Sequence, residues 1–237
     1  MRKFLVIAFL LLASFSLYAI DQVEKANQSE DIVVIETDFG EIEFALFPDI
    51  APLNVENIVK LVKKDFYNGT TFHRVVPDFV IQGGDPLTKD NNPANDGTGG
   101  PGYYLKDEYS EEVKHLEGTV ALAKARDNQN GSQFYICLKA VPFLDGKYTI
   151  VGQVIKGMDV AHKIEKVKTD RNDRPIENVT MKKVYMKEKE ETEKESEITT
   201  EEEPELTKEE MEEIKKKSGG GCGCGKSKED KEAETEK

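Results

Sequence analysis

The run from Phe72 to Asp85, F-H-R-V-V-P-D-F-V-I-Q-G-G-D, sets one arginine, two phenylalanines and one glutamine among apolar residues and ends on a glycine pair. Side chains of a strand alternate faces, so Phe72, Arg74 and Val76 share one face, and Val80 and Gln82 share one beyond the turn at Pro77-Asp78. A cation and an amide then stand beside apolar neighbours. Taking a guanidinium out of water costs several kcal/mol unless it is paired or hydrogen-bonded. Arg74 is therefore either half of a structural ion pair or a working group, and the residue pattern leaves both open. Other chemistry-bearing residues are sparse. His73 alternates away from Arg74 and reads as structural, while His115 and His162 have no ligand spacing to each other or to the three cysteines. Asp127-Asn128-Gln129-Asn130-Gly131 lacks the acidic spacing and distal glutamate of a calcium loop. Cys222 and Cys224, in the Gly221 to Gly225 segment, could chelate a soft cation or join other thiols, but two ligands make an incomplete site. A solvated low-complexity end is the plainer reading there, and no metal or cofactor is expected.

The elements that must position Arg74 and Gln82 read as short strands. Ile32 to Thr37 and Glu41 to Phe47 flank a turn at Asp38-Phe39-Gly40, a hairpin signal. Val55, Ile58, Val59 and Val62 recur at helical spacing after Pro52, with Asn54 as N-cap and Asn68-Gly69 as stop. The segment from Pro86 to Glu117 is rich in Gly, Pro, Asn and Asp and is expected to be mostly loop. Strand-like runs follow at Gly118 to Ala123, Gln133 to Leu138 and Tyr148 to Val154. A second short helix is expected from Asp159 to Lys166 and a last strand from Val179 to Met186. Close-spaced strands with two amphipathic helices point to a mainly β fold, a closed antiparallel barrel with capped ends.

The Phe72 to Asp85 run resembles the central motif of the cyclophilins, the barrel-type peptidyl-prolyl isomerases. Three further blocks stand in the family's order: Gly97-Thr98-Gly99-Gly100, A-K-A-R-D-N-Q-N-G-S-Q-F-Y-I from Ala123 to Ile136, and F-L-D-G-K-Y from Phe143 to Tyr148. The resemblance spans about residues 31 to 187 and implies eight strands closed into a barrel with two helices. It also implies a reaction, rotation about X-Pro bonds, whose amide resonance sets a barrier of roughly 18–20 kcal/mol. At the twisted transition state the nitrogen recovers its lone pair and the carbonyl oxygen loses charge. A dry apolar pocket and a donor aimed at that nitrogen therefore favour it, with no proton carrier needed. By the resemblance Arg74 supplies the donor and Gln82 orients Arg74 and the substrate carbonyl. Phe79, Val80, Tyr135, Phe143, Leu144 and Tyr148 would line the proline pocket or its rim, Ala123, Lys124 and Gln133 the groove for the preceding peptide, and Gly97 the adjacent loop. Gln133 and Tyr135 stand two apart, which puts both on one strand face. The chain departs from the family at Val80 for a frequent methionine, Tyr135 for phenylalanine, Lys124 for the groove asparagine and Tyr148 for a common histidine. Phe143 replaces the rim tryptophan of members that bind cyclosporin tightly, so weakened drug binding with catalysis retained is expected, and activity should vary little between pH 6 and 8.

At 237 residues and a formal charge of −13, the chain has room for one sizeable domain and is a poor match for nucleic acid. From Lys187 onward 19 acidic residues face 11 lysines, so this segment holds −8 of the total and the body is only mildly acidic. Four parts are expected: a signal peptide over 1–19, a polar linker over 20–30, the barrel domain over 31–187 and a charged tail over 188–237. Arg2-Lys3, the apolar run Phe4 to Leu17 and the small Ala19 give the order of a secretory leader, and about 14 residues fall short of the roughly 20 a spanning helix needs. The tail lacks the apolar content to offset ordering. One short helix is expected within it, where Thr207 and Glu210 form a capping box, Leu206 and Met211 a staple, and Ser218-Gly219-Gly220 a stop. Cys137, inside a strand-like run, reads as a small hydrophobe, so no disulfide framework is implied. The expectation is an exported monomer, periplasmic or extracellular, free of stable membrane association after leader cleavage. Its partners would be proline-containing segments of unfolded or partly folded proteins. A non-catalytic proline-peptide module and a thiol or metal carrier acting through the tail are the rival readings.

Overall fold

The computed structural model describes residue 18 and residues 20–90, 92–126 and 129–188. The expected signal peptide, residue 18 apart, the tail from 189 with Cys222 and Cys224, and residues 127 and 128 of the calcium-like loop lie outside the described residues. Residues 20–28, expected as linker, form a helix, α1. Its anchor is polar: the buried Gln22 places its amide nitrogen within 3.1 Å of the Lys114 carbonyl, Thr119 Oγ1 and Gln153 Oε1, and accepts from the Lys114 N–H.

β1 (Ile32–Thr37) and β2 (Gly40–Leu46) pair as the expected antiparallel hairpin. α2 (Pro52–Val62) opens on a proline, whose missing N–H costs nothing in the first turn. Asn54 is not its N-cap: it lies within the helix, fully buried. The orphan N–H groups of Leu53 and Asn54 donate instead to the Glu108 carboxylate at 3.3 and 2.9 Å, an anion at the positive end of the helix. β3 (Phe72–Val76), β4 (Val80–Gly83), a two-residue β5 (Leu105–Lys106), β6 (Thr119–Arg126), β7 (Gln129–Cys137), β8 (Ile150–Lys156), α3 (Met158–Ile164) and β9 (Lys183–Met186) follow. The last strand is thus shorter than the expected Val179 to Met186.

Eight strands bond in the order β3-β4-β7-β6-β8-β2-β1-β9, all antiparallel, with β5 added to β7. This corrects the expected closed barrel with two helices: the sheet curls into an open half-barrel, its edges 13 Å apart, capped by three helices. The edges β3 and β9 share no ladder. The chain near their starts does meet: the N–H of Phe72, the first residue of β3, donates to the Val179 carbonyl, and Thr71 bridges Thr180. β9 begins only at Lys183, so it has run past β3 before it becomes a strand.

Alternation divides the sheet residues between two apolar clusters. Ile81, Leu122, Phe134 and Ile136 join Ile35, Ile42, Ile58 and Ile164 in the main core. Their neighbours Val80, Ala121, Tyr135 and Cys137 face the other way, where they meet Leu144 and Ile150 and the partly buried Phe79, Ala123 and Tyr148. Cys137 is buried there and its thiol pKa is pushed up to about 12 by burial, so it packs as a hydrophobe.

Candidate active site

Strand register assembles the site. Arg74 pairs with Gln82 between β3 and β4, Gln82 with Tyr135 between β4 and β7, and Tyr135 with Ala121 between β7 and β6. Directly opposed residues point to one face, so Arg74, Gln82 and Tyr135 stand in a row across the outer face of the curled sheet. The turn feeding this row closes with the Phe79 N–H donating to the Val76 carbonyl at 3.1 Å, and Asp78 adopts a φ of +55°. The glycine pair after β4 is forced by space and angle. A Cβ on Gly83 would meet Met181 Cε at 2.4 Å and the Thr71 carbonyl at 2.9 Å. One on Gly84, at φ +85°, would lie 2.6 Å from the Ser132 carbonyl.

The row borders a pocket of about 220 Å³ lined by Arg74, Phe79, Val80, Gln82, Ala123, Lys124, Tyr135, Leu144 and Tyr148. The other three expected residues stand just outside it. Gln133 accepts from the Gln82 amide at 3.0 Å and donates to the Gly97 and Gly99 carbonyls, each at 2.9 Å. Gly97, at φ +85°, is the place where that loop turns. Phe143 is 60 % exposed and stacks on Phe79, with ring centroids 5.8 Å apart. Gln82 therefore anchors on Gln133, and no hydrogen bond to Arg74 is present among the described residues. His73, expected as structural, is buried beside Gly97, and burial lowers its pKa.

Arg74 is neither buried nor locked. Its Nε lies 3.7 Å from Asp173 Oδ2, beyond hydrogen-bond length, and both side chains are partly exposed. A pair of that kind is worth about 0–1 kcal/mol and leaves the guanidinium available to a ligand. Asp173 has no signal near Arg74 in the sequence. Backbone brings it there: its carbonyl accepts the Val75 N–H at 2.8 Å.

Two sets of partners of expected site residues escaped sequence reasoning: His115 and Asp145 behind Tyr135, and Asp107 and Tyr109 around Lys124. Behind the pocket, His115 Nδ1 lies 2.9 Å from Asp145 Oδ1 and His115 Nε2 lies 3.0 Å from the Tyr135 hydroxyl. The Asp145 carboxylate only accepts, so Nδ1 carries the proton and Nε2 accepts from Tyr135. Burial lowers the His115 pKa despite Asp145, and burial raises that of Tyr135, so this chain is neutral imidazole and neutral phenol at pH 7. It joins the floor on β7 to the loop carrying Phe143 and Leu144. At the far rim the Lys124 ammonium donates to Tyr109 Oη at 3.1 Å, lies 3.1 Å from Asp107 Oδ2 and stands over the Tyr148 ring at 5.4 Å.

Among the described residues no cluster of three or more His, Cys, Asp or Glu could hold a metal ion. What the arrangement offers is a recess with apolar packing from Phe79, Val80 and Leu144, a guanidinium at one lip and an ammonium at the other.

A family of known architecture matches this chain. The family model "Cyclophilin type peptidyl-prolyl cis-trans isomerase/CLD" matches residues 32–186. An Arabidopsis thaliana peptidyl-prolyl cis-trans isomerase is 44 % identical over 151 residues, which are 62 % of this chain and 23 % of that protein. A Schizosaccharomyces pombe isomerase, ppi1, is 41 % identical over 149 residues, 61 % of this chain and 92 % of that one. The chain thus spans about a quarter of the length of some relatives and nearly the whole of others. A crystal structure of a Cryptosporidium parvum cyclophilin type isomerase superposes with a TM-score of 0.61 at 32 % identity, covering 67 % of this chain and 98 % of that one. The same protein has also been solved in the presence of the dipeptide Ala-Pro. The chain belongs to the cyclophilin-type peptidyl-prolyl cis-trans isomerases. Cyclophilins of this kind are enzymes of proline bonds and bind proline-containing segments.

Proposed function

We propose that this chain catalyses cis–trans rotation of X-Pro bonds in proteins that are folding after export. The observation that carries the reading is the loosely held guanidinium of Arg74 at the mouth of an apolar recess. The recess favours the less polar twisted imide, and the guanidinium donates to the nitrogen lone pair as it leaves conjugation. A hydrogen bond to a charged group contributes roughly 1.5–3 kcal/mol, or about one to two decades of rate. Desolvation and anchoring by Gln82, Gln133 and the pocket wall must supply the remainder. Ala-Pro, the dipeptide present with the Cryptosporidium parvum relative, is the smallest ligand of the class we assign to the recess. Export is part of the proposal, supported by the basic, apolar and small-residue order before residue 20, and so is a monomer free of the membrane after leader cleavage. The test is a proline-peptide isomerisation assay on wild type and Arg74→Ala. A drop of 10- to 100-fold is expected, and a wild type that binds peptide without turnover would leave a binding module instead. Mass measurement of the N-terminus of the secreted protein tests export, with cleavage near Ala19 expected.

A further inference from the structure

Besides Tyr135, whose hydroxyl is taken by His115, four lining residues of the recess are polar or charged, Arg74, Gln82, Lys124 and Tyr148, and no carboxylate lines it. The cations sit on different strands: Arg74 is on β3 and Lys124 on β6, with β4 and β7 between them. Lys124 lies three residues along β6 from Ala121, which closes the Arg74–Gln82–Tyr135 row, so the two cations flank the recess diagonally. Their counter-charges stand behind them. Asp107 has a side chain only 2 % exposed, so Lys124 covers it, and Asp173 lies beyond hydrogen-bond length of Arg74. Lys124 is held in place by Tyr109, Asp107 and the face of Tyr148, a wall of the recess, so its position needs no ordering when a ligand arrives. Of its three N–H groups, Tyr109 and Asp107 engage two. Partial burial opposes its charge, yet the bonds to Tyr109 and Asp107 outweigh this and hold its pKa above the ordinary lysine value.

Resting on the isomerase reading, we propose that Lys124 is a specificity-determining residue that selects clients with an acidic side chain flanking the proline. A partly exposed, pre-positioned charge pair contributes little in water, so the preference is modest: a two- to five-fold advantage in kcat/KM for Glu over Gln beside the proline.

The test is a peptide panel assayed with the full chain at low salt, with Glu, Gln or Lys placed first before and then after the proline. For each protein the Glu/Gln ratio is read, which cancels any change in overall rate. The expected result is a ratio of two to five at one of the two positions in wild type, with Lys the poorest. The ratio should fall to about one in Lys124→Gln, return in Lys124→Arg, and collapse for wild type near 1 M salt, where the screening length is about 3 Å. A ratio of one in wild type at both positions, or a preference that Lys124→Gln leaves intact, overturns the proposal while the isomerase reading stands. Absence of turnover on every peptide would sink both.

Discussion

Tyr135→Phe removes one oxygen and tests the reading of the wall behind the recess. In the folded chain His115 Nε2 is buried and accepts from that oxygen at 3.0 Å, while Nδ1 is committed to Asp145. Phenylalanine keeps the ring and its packing but strands a buried acceptor, at a cost of roughly 1–3 kcal/mol. For a domain of this size each kcal/mol lowers Tm by about 2–4 °C, so a fall of about 2–12 °C is expected by calorimetry at pH 7.5. Isomerase kcat/KM should stay within about three-fold, since the reaction asks the wall only to be apolar. The pH dependence is the sharper readout. Burial lowers the His115 pKa in the folded state, so its contribution to stability is complete above the unfolded value near 6.5 and is lost as pH falls towards the folded pKa. In the variant Nε2 can take a proton without giving up a bond, so the Tm gap between the two proteins should be widest at pH 7.5 and narrow at pH 5. Equal Tm values at pH 7.5, or a gap that widens in acid, would refute the assignment of tautomer and partner.

Gln22→Ala should cost roughly 1–3 kcal/mol, because it strands buried groups on Lys114, Thr119 and Gln153; a protease-sensitive α1 in limited proteolysis is the check, and unchanged resistance would contradict the anchoring role. His162 is bonded first to Glu165 and then to Glu117, which raise its pKa. Its stabilisation is therefore full below about pH 6.5 and disappears as pH rises through the folded value. The Tm difference between wild type and His162→Gln should shrink from pH 6 to pH 9, and a constant difference would disprove it. With Phe143 on the rim, cyclosporin should inhibit weakly and Phe143→Trp should tighten it; potent inhibition of wild type in the peptide assay would go against this.

What could be seen in the sequence was local. The Phe72 to Asp85 hairpin was visible because the Pro77-Asp78 turn and the glycine pair act within fourteen residues, and β4 carried Gln82 back opposite Arg74, but alternation failed at its start: a register shift between Phe72 and Arg74 turns Phe72, expected on the face of Arg74, into the main core. Nine of the twelve expected site residues line one recess. Contacts across long separations left no trace. Glu108 caps a helix 54 residues earlier, Asp173 approaches Arg74 through a backbone bond, and the Asp145–His115–Tyr135 chain joins three separate segments. Residues 20–28 passed for a linker because their anchor is an amide, which hydrophobic periodicity does not register. Strand pattern and resemblance both predicted closure of the sheet, yet the last strand begins at Lys183, four residues later than expected, and shares no ladder with β3.

The recess hangs on the outward side of the curled sheet, on a cluster separate from the one that fills its interior. Libraries that randomise Phe79, Lys124, Phe143 and Tyr148 together should therefore yield many soluble, well-folded members. Selectivity for different clients could then be bred on this scaffold without first rescuing its stability.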